Sequence, residues 1–588
     1  MPTPRSALLA TALLLSSCGP GDRRESAALR EAADSGSAAD AAACPATELT
    51  LPAGFCATVF ADSVGHARHM AVSSNGTVYV NTWSGEYFGN DKPPAGGFIV
   101  ALRDTTGDGR ADAVARFGDS VGSGGAGGTG IALYKGALYV EAKDKILRYP
   151  LEQGSVSPTG AAEVIVDRLP LTGDHPQHNI AIDSSGGLLM NSGSPSNACQ
   201  IKNRIAGSPG RRPCPELRTR AGVWRYDASR TGQHFSPAER YATGIRNAVG
   251  IAVDPSGKNA YATQHGRDQL YENWPKLYTA EQGQNLPSEE LLLLERGADY
   301  GWPMCYYDSA QAKLVLAPEY GGNGGQAVGQ CGTKQGPVMA FPAHWAPNDL
   351  AFYAGDKFPA RYRGGAFIAF HGSWNRAPGP QGGYNVVFVP FSGGRPTGRY
   401  EVFADGFAGP AKDPGQAAHR PSGVAVGPEG ELYISDDAHG RIWRVAYTGA
   451  TTMARRPNPS GQARPAPGGG ADSARPPEGI HPNAGEEAAG PGARSALVAL
   501  GDSVYHGQVG GATCAGCHGT TAKGTPLAPD LTDDQWIWGD GSLASITGII
   551  RKGVPRPKQH RGVMPPMGGA QLTPEQLKAV AAYVYSLR

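Results

Sequence analysis

Met70-Ala71-Val72-Ser73-Ser74-Asn75-Gly76-Thr77-Val78-Tyr79-Val80 is the stretch whose reading decides the fold. Apolar side chains alternate on both sides of a Gly-bearing turn, which is the pattern of a β-hairpin with one face buried. The phrase returns as Ile131-Ala132-Leu133, Gly136 and Leu138-Tyr139-Val140, and again as Ile180-Ala181-Ile182, Gly186 and Leu188-Leu189-Met190. Further copies begin at Ile251-Ala252-Val253, Leu350-Ala351-Phe352 and Val424-Ala425-Val426; the last runs through Gly430 to Leu432-Tyr433-Ile434. Six hairpins spread over about 380 residues predict an all-β, six-bladed β-propeller with long insertions between copies. Amphipathic helices do not alternate with these strands, which excludes a Rossmann sheet. Gly122-Ser123-Gly124-Gly125-Ala126-Gly127 matches the dinucleotide pattern by letter, but the strand from Ile131 to Val140 follows it where a helix is required.

The sequence around this repeat divides into regions. Residues 1–18 read as a lipoprotein signal peptide: Arg5, a short apolar run from Ala7 to Leu15, and a lipobox Leu15-Ser16-Ser17-Cys18. Residues 19–43, rich in Ala, Ser, Gly and charge, read as a disordered tether. The propeller is assigned 44–448, a Pro/Gly/Ala-rich linker 449–494, and a small all-α domain 495–588. With 53 basic and 52 acidic residues, nothing in the charge balance points to nucleic acid. Cys18 is assigned to lipid and Cys514 and Cys517 to a prosthetic group. Cys44, Cys56, Cys199, Cys214, Cys305 and Cys331 remain, in three close pairs that suggest three local disulfides in an oxidising compartment. Six cysteines allow fifteen connectivities.

Cys514-Ala515-Gly516-Cys517-His518 is the attachment motif of a c-type haem: two thiols for thioethers and a histidine that ligates iron from one face. Met564, in Val563-Met564-Pro565-Pro566-Met567, is the candidate for the second face. It precedes a helix opened by Thr573, Pro574 and Glu575. The segment resembles small class I cytochromes c, with Tyr583-Val584 near the end of its last helix, and the resemblance also implies Met564 as the ligand.

The propeller resembles the sorbosone dehydrogenase and soluble aldose (glucose) dehydrogenase family, which uses pyrroloquinoline quinone (PQQ). Five stretches carry the resemblance: Ala242-Thr243-Gly244-Ile245-Arg246-Asn247, Gln264-His265-Gly266-Arg267-Asp268, Asp299-Tyr300-Gly301-Trp302-Pro303, His371-Gly372-Ser373-Trp374-Asn375-Arg376 and Arg420-Pro421-Ser422-Gly423-Val424. It implies His175, in Gly173-Asp174-His175-Pro176-Gln177-His178, as the catalytic base, with His178 as its rival. It implies Arg246 and Asn247 as PQQ contacts, Arg246 also polarising the quinone carbonyl, and Arg420 as the partner of a PQQ carboxylate. Arg68, Trp374 and Arg376 are further candidates for cofactor contact. Gly266 and Arg267 align with a loop whose carbonyls ligate a PQQ-bound Ca²⁺, with Arg267 standing where soluble glucose dehydrogenases have proline.

Asp104-Thr105-Thr106-Gly107-Asp108-Gly109-Arg110-Ala111-Asp112 resembles half an EF-hand loop. Ala115 stands where the closing Glu belongs, so Ca²⁺ binding through Asp104, Asp108 and Asp112 and a plain turn both remain open. Together these features describe a periplasmic, lipid-anchored quinohaemoprotein dehydrogenase. It would oxidise an aldose, a sorbosone-like aldehyde or a sugar alcohol through PQQ, haem c and Ca²⁺, and pass electrons to a respiratory cytochrome or terminal oxidase. Gly19 after Cys18 favours the outer membrane. The alternatives are a calcium-dependent lactonase or a non-catalytic binding propeller fused to the cytochrome.

Overall fold

The computed structural model describes residues 44–449 and 491–587, except 45–46, 86–94, 119–127, 153, 159, 377–379, 414–415, 508, 510, 511, 513, 520, 526, 534, 561 and 571. The signal peptide with Cys18, the 19–43 tether, the Gly122–Gly127 stretch and the 450–490 part of the linker lie outside the described residues.

Each sequence repeat supplies the first strand of one sheet, antiparallel throughout except that Gln233–His234 joins the second blade parallel to Glu163–Asp167. The first strands are Met70–Val72, Ile131–Tyr134, Ile180–Ile182, Ile251–Val253, Pro347–Phe352 and Pro421–Val426, and six sheets of four or more strands follow from them. The register is that of a hairpin closed at the glycine: Met70 faces Val80, Ile131 faces Val140 and Ile180 faces Met190. Alternation explains how the blades stack. Along Val78–Asn81, Val78 and Val80 enter a core shared with Tyr433 and Ile442 of the last blade, whereas Tyr79 enters a core with Leu138 and Val140 of the second. One strand thus buries opposite faces against two neighbours. The N-terminal strand Phe55–Ala61 closes the ring by pairing with Ile442–Tyr447, so the last blade combines both ends of the domain and leaves no break in the circle.

The six remaining cysteines pair as Cys44–Cys56, Cys199–Cys214 and Cys305–Cys331. The second bond braces an insertion between strands Gly187–Ser192 and Gly222–Asp227 of the third blade, and the third braces the hairpin Cys305–Asp308/Lys313–Leu316 in the fourth.

The C-terminal part holds helices Pro491–Tyr505, Cys514–His518, Leu543–Lys552 and Pro574–Tyr585. The last is capped by Thr573, whose hydroxyl accepts from Gln576 N while Gln576 Oε1 accepts from Thr573 N. It crosses the first at Gly501, where a Cβ would lie 2.0 Å from the Ala579 carbonyl oxygen; only glycine lets the two backbones meet. Val504, Ile546, Ile550, Leu577, Val580 and Val584 form the shared core. No helix among the described residues is long and apolar enough to cross a membrane.

Candidate active site and haem pocket

The short helix Cys514–His518 sets Cys514 and His518 on an apolar cavity lined by Trp536, Ile546, Ile550, Val580, Val584 and Met564. Cys514 and Cys517 are the free thiols in a chain whose other described cysteines are all bonded. Burial pushes both thiols up, Cys514 to about 12, so neither is a ready thiolate by itself. His518 Nδ1 lies 3.0 Å from the Pro529 carbonyl, which can only accept. The proton therefore sits on Nδ1, and the Nε2 lone pair is left for a metal. Met564 is fixed by backbone pairing with Val554. An oriented imidazole, a thioether and one unbonded thiol on an apolar cavity, with the second thiol next to the histidine in the same short helix, fit a covalently attached haem. His560 lines the same cavity.

A second cavity of about 540 Å³ opens at the propeller mouth. It collects Arg68, His175, Arg246, Asn247, Gly266, Trp374 and Arg420, residues spread over more than half the sequence. The loop before the third blade's inner strand carries His175. Gly193 makes room for it, since a Cβ there would stand 2.6 Å from His175 Cβ. His175 Nδ1 is 2.7 Å from the Ser194 carbonyl and so carries the proton, leaving Nε2 with its lone pair. Burial and the nearby Arg246 charge hold His175 well below the usual imidazole range, so it is neutral at pH 7. His178 is placed elsewhere. It is fully buried, with Nδ1 2.9 Å from Glu141 Oε1, and does not line the cavity.

Arg246 is held on three sides. It donates to the Asn197 carbonyl, to the Gly266 carbonyl at 2.9 Å and to Asp268 Oδ2 at 2.8 Å. Arg420 reaches the His371 and Gly372 carbonyls and lies over the Tyr384 ring, and Arg68 pairs with Asp437 at 2.5 Å. Three further residues carry the geometry without having been picked out in the sequence. Arg204 lines the cavity and bridges Asp174 and Asp268 at 2.9 and 3.0 Å. Asp268 stands between Arg204 and Arg246; burial alone would raise its pKa, but the two guanidiniums outweigh burial and keep it ionised. Arg220 binds the Gly193, Thr172 and His175 carbonyls and so fixes the loop that carries the imidazole. The lone signal for Arg204 was its position between Cys199 and Cys214; Asp268 lay inside a quoted motif.

Other expected site residues are placed apart. Arg376 does not line the cavity; its guanidinium donates to Asn285 Oδ1 and the Pro380 carbonyl. The Arg267 side chain turns away to Glu319. Gly266 remains at the cavity edge with one carbonyl lone pair taken by Arg246, which leaves one for a cation. Asp104, Asp108 and Asp112 do not converge: Asp104 accepts from Gly107 and Gly109 amides, Asp108 from Arg110, and Asp112 from Thr105 and Thr106. That is a self-satisfied turn. Among the described residues the one cluster with three potential metal ligands is Cys199, Cys214 and Glu216, whose two sulfurs are spent on a disulfide. Four arginines in a cavity of this size match a flat tricarboxylate, and a neutral imidazole beside them matches proton abstraction.

Comparison with known proteins agrees with both parts. Over 244 residues the chain is 31% identical to a pyrroloquinoline quinone-dependent pyranose dehydrogenase of Coprinopsis cinerea, covering 34% of this chain and 30% of that one. Over 102 residues it is 39% identical to the cbb3-type cytochrome c oxidase subunit FixP of Rhizobium etli, covering 17% of this chain and 33% of that one. The chain spans about half or less of the length of the curated relatives it matches. The holo form of the pyranose dehydrogenase PQQ domain from Coprinopsis cinerea shares the fold at TM-score 0.53 and 18% identity, covering 68% of this chain and 98% of that one. Residues 501–584 match the family described as cytochrome C oxidase, cbb3-type, subunit III. Residues 49–448 match the TrAA12-like family, and the chain belongs to it.

Proposed function

We propose that this chain is a quinohaemoprotein sugar dehydrogenase, exported and lipid-anchored through Cys18, that oxidises a sugar at a CH–OH or aldehyde carbon and passes the electrons through its own cytochrome to a respiratory acceptor. The observation that carries this reading is the gathering of His175, Arg68, Arg204, Arg246 and Arg420 into one cavity. PQQ, when bound, supplies a carbonyl carbon that accepts hydride, and haem c an iron that takes one electron at a time. His175 takes the hydroxyl proton at Nε2, because Nδ1 is committed to Ser194. Arg246, set by Asp268 and Asn197, faces the cavity as a fixed positive charge for developing negative charge on oxygen. Arg68, Arg420 and Asn247 hold carboxylates. A Ca²⁺ would be held by the Gly266 carbonyl at the cavity edge and by the Arg267 carbonyl next to it in the chain. Three disulfides support an oxidising, periplasmic setting. Without a converging set of carboxylates, the lactonase reading gains no support from the described residues.

The test is reconstitution of the purified protein with PQQ and Ca²⁺, followed by sugar-dependent reduction of its haem at the α-band. Aldoses and pyranoses are expected to reduce it. Haem that stays oxidised with every sugar, while a small acceptor dye also stays oxidised, would refute the dehydrogenase.

A further inference from the structure

The cavity at the propeller mouth has a roof, and the roof belongs to the cytochrome. Cys517, Leu527, Gly562, Val563, Pro565 and Gly569 line it together with His175, Arg204 and Arg246. Leu527 and Gly562 also line the haem cavity, and a Cβ on Gly562 would stand 2.6 Å from the Leu527 carbonyl. The wall between the two cavities is therefore one residue thick. A second contact lies beside it: a Cβ on Gly507 would come within 3.7 Å of Asn203 Nδ2, in the loop braced by Cys199–Cys214. The next residue, Arg204, lines the same cavity as Cys517.

We propose that the disulfide-braced loop carrying Asn203 and Arg204 is the seat on which the chain's own cytochrome docks, and that electrons leave the quinone cavity through the haem edge bearing the Cys517 thioether. This rests on the dehydrogenase reading and names its first acceptor as intramolecular. One oxidised sugar releases two electrons and two protons. The electrons leave in two successive steps, the haem being reoxidised between them by an external one-electron acceptor such as ferricyanide or a c-type cytochrome, and the protons go to solvent. The roof carries no charge, so the fit is one of an apolar cap over buried arginines that already hold their own counter-ions.

Val563, 44% exposed on the roof, is the place to test this. Val563→Lys forces a charge that must keep its water into the apolar cap, while Val563→Ala keeps the loop neutral and controls for disturbance of the Met564 ligand next to it. In quinone-loaded protein, sugar-driven haem reduction should be first order and independent of protein concentration. It should slow about tenfold in Val563→Lys and remain near wild type in Val563→Ala, each rate being taken relative to phenazine-dye reduction by the same variant so that any change in the cavity itself is read separately. In the quinone-free protein, hydrogen exchange at 203–205 and 562–565 should be slow together and accelerate together in Val563→Lys. A haem-reduction rate proportional to protein concentration, or exchange at 203–205 indifferent to the lysine, overturns the docking. Loss of dye reduction in wild type would instead sink the dehydrogenase reading, and the exchange comparison would still decide the docking.

Discussion

His175 and His178 stand three positions apart, and their surroundings give them opposite jobs. His175 keeps a lone pair on the cavity because a carbonyl takes its other nitrogen; His178 spends its Nδ1 proton on Glu141 of the second blade. Replacing His175 by Gln should lower kcat roughly a hundred- to ten-thousand-fold, the worth of a positioned general base, with the fold unchanged by circular dichroism. In its proposed role as base His175 works in its neutral form, so activity should rise with pH through its pKa and then level. Because burial and Arg246 hold that pKa below 6.5, the acid limb of kcat/KM should fall below pH 6.5. His178→Asn should do the reverse: a loss of about 1–3 kcal/mol in denaturant unfolding from the broken buried pair, with kcat within a few-fold of wild type. The sequence left these two histidines as rivals for a physical reason. Register placed both beside one strand, but Glu141, the partner that removes His178 from the chemistry, lies 37 residues away with no local signal.

The six inner strands were legible because a hairpin is a local object: alternation and a glycine suffice, and neighbouring blades stack by the same alternation. The insertion between Gly187–Ser192 and Gly222–Asp227 was not legible, since its path depends on a cross-link and on Arg220 gripping three carbonyls from outside. This insertion nevertheless delivers Arg204 to the cavity and Arg220 to the His175 loop. Likewise, Arg376 followed Trp374 in a quoted motif, yet two residues of loop were enough to turn it out of the site. The Cys199–Cys214 bond closes a span of 15 residues. A double Cys199→Ser, Cys214→Ser variant should lose up to about 3 kcal/mol in denaturant unfolding on chain-entropy grounds. It should also show a raised KM for the quinone in reconstitution, because Arg204 then lacks a fixed approach to Asp174 and Asp268. A variant that unfolds earlier but binds quinone as wild type would show that the loop's ion pairs alone hold Arg204.

At the scale of the whole ring, buried carboxylates of two kinds set its pH tolerance in opposite directions. Asp268 and Asp437 are held well below the ordinary value: burial pushes each up, but Arg246 and Arg204 on one, and His371 and Arg68 on the other, outweigh it. Their stabilisation is present above pH 3.8 and is lost as acid protonates them. Glu289, Glu290 and Asp349 are pushed up to about 8 by burial, against the hydrogen bonds they accept. Each keeps a proton in the folded protein that it gives up when unfolded near pH 4 to 4.5, so stability falls as pH rises from there to about 8, then levels. The slope is about 1.4 kcal/mol per pH unit for each group while the difference lasts. Glu290 isolates the effect, because it lies outside the quinone cavity and its carboxyl accepts from Gln264 Nε2, a bond that a glutamine oxygen can also accept. Glu290→Gln should leave Tm unchanged near pH 5 and raise it progressively toward pH 8. A Tm difference that is flat across this range would mean that Glu290 is already ionised in the folded ring.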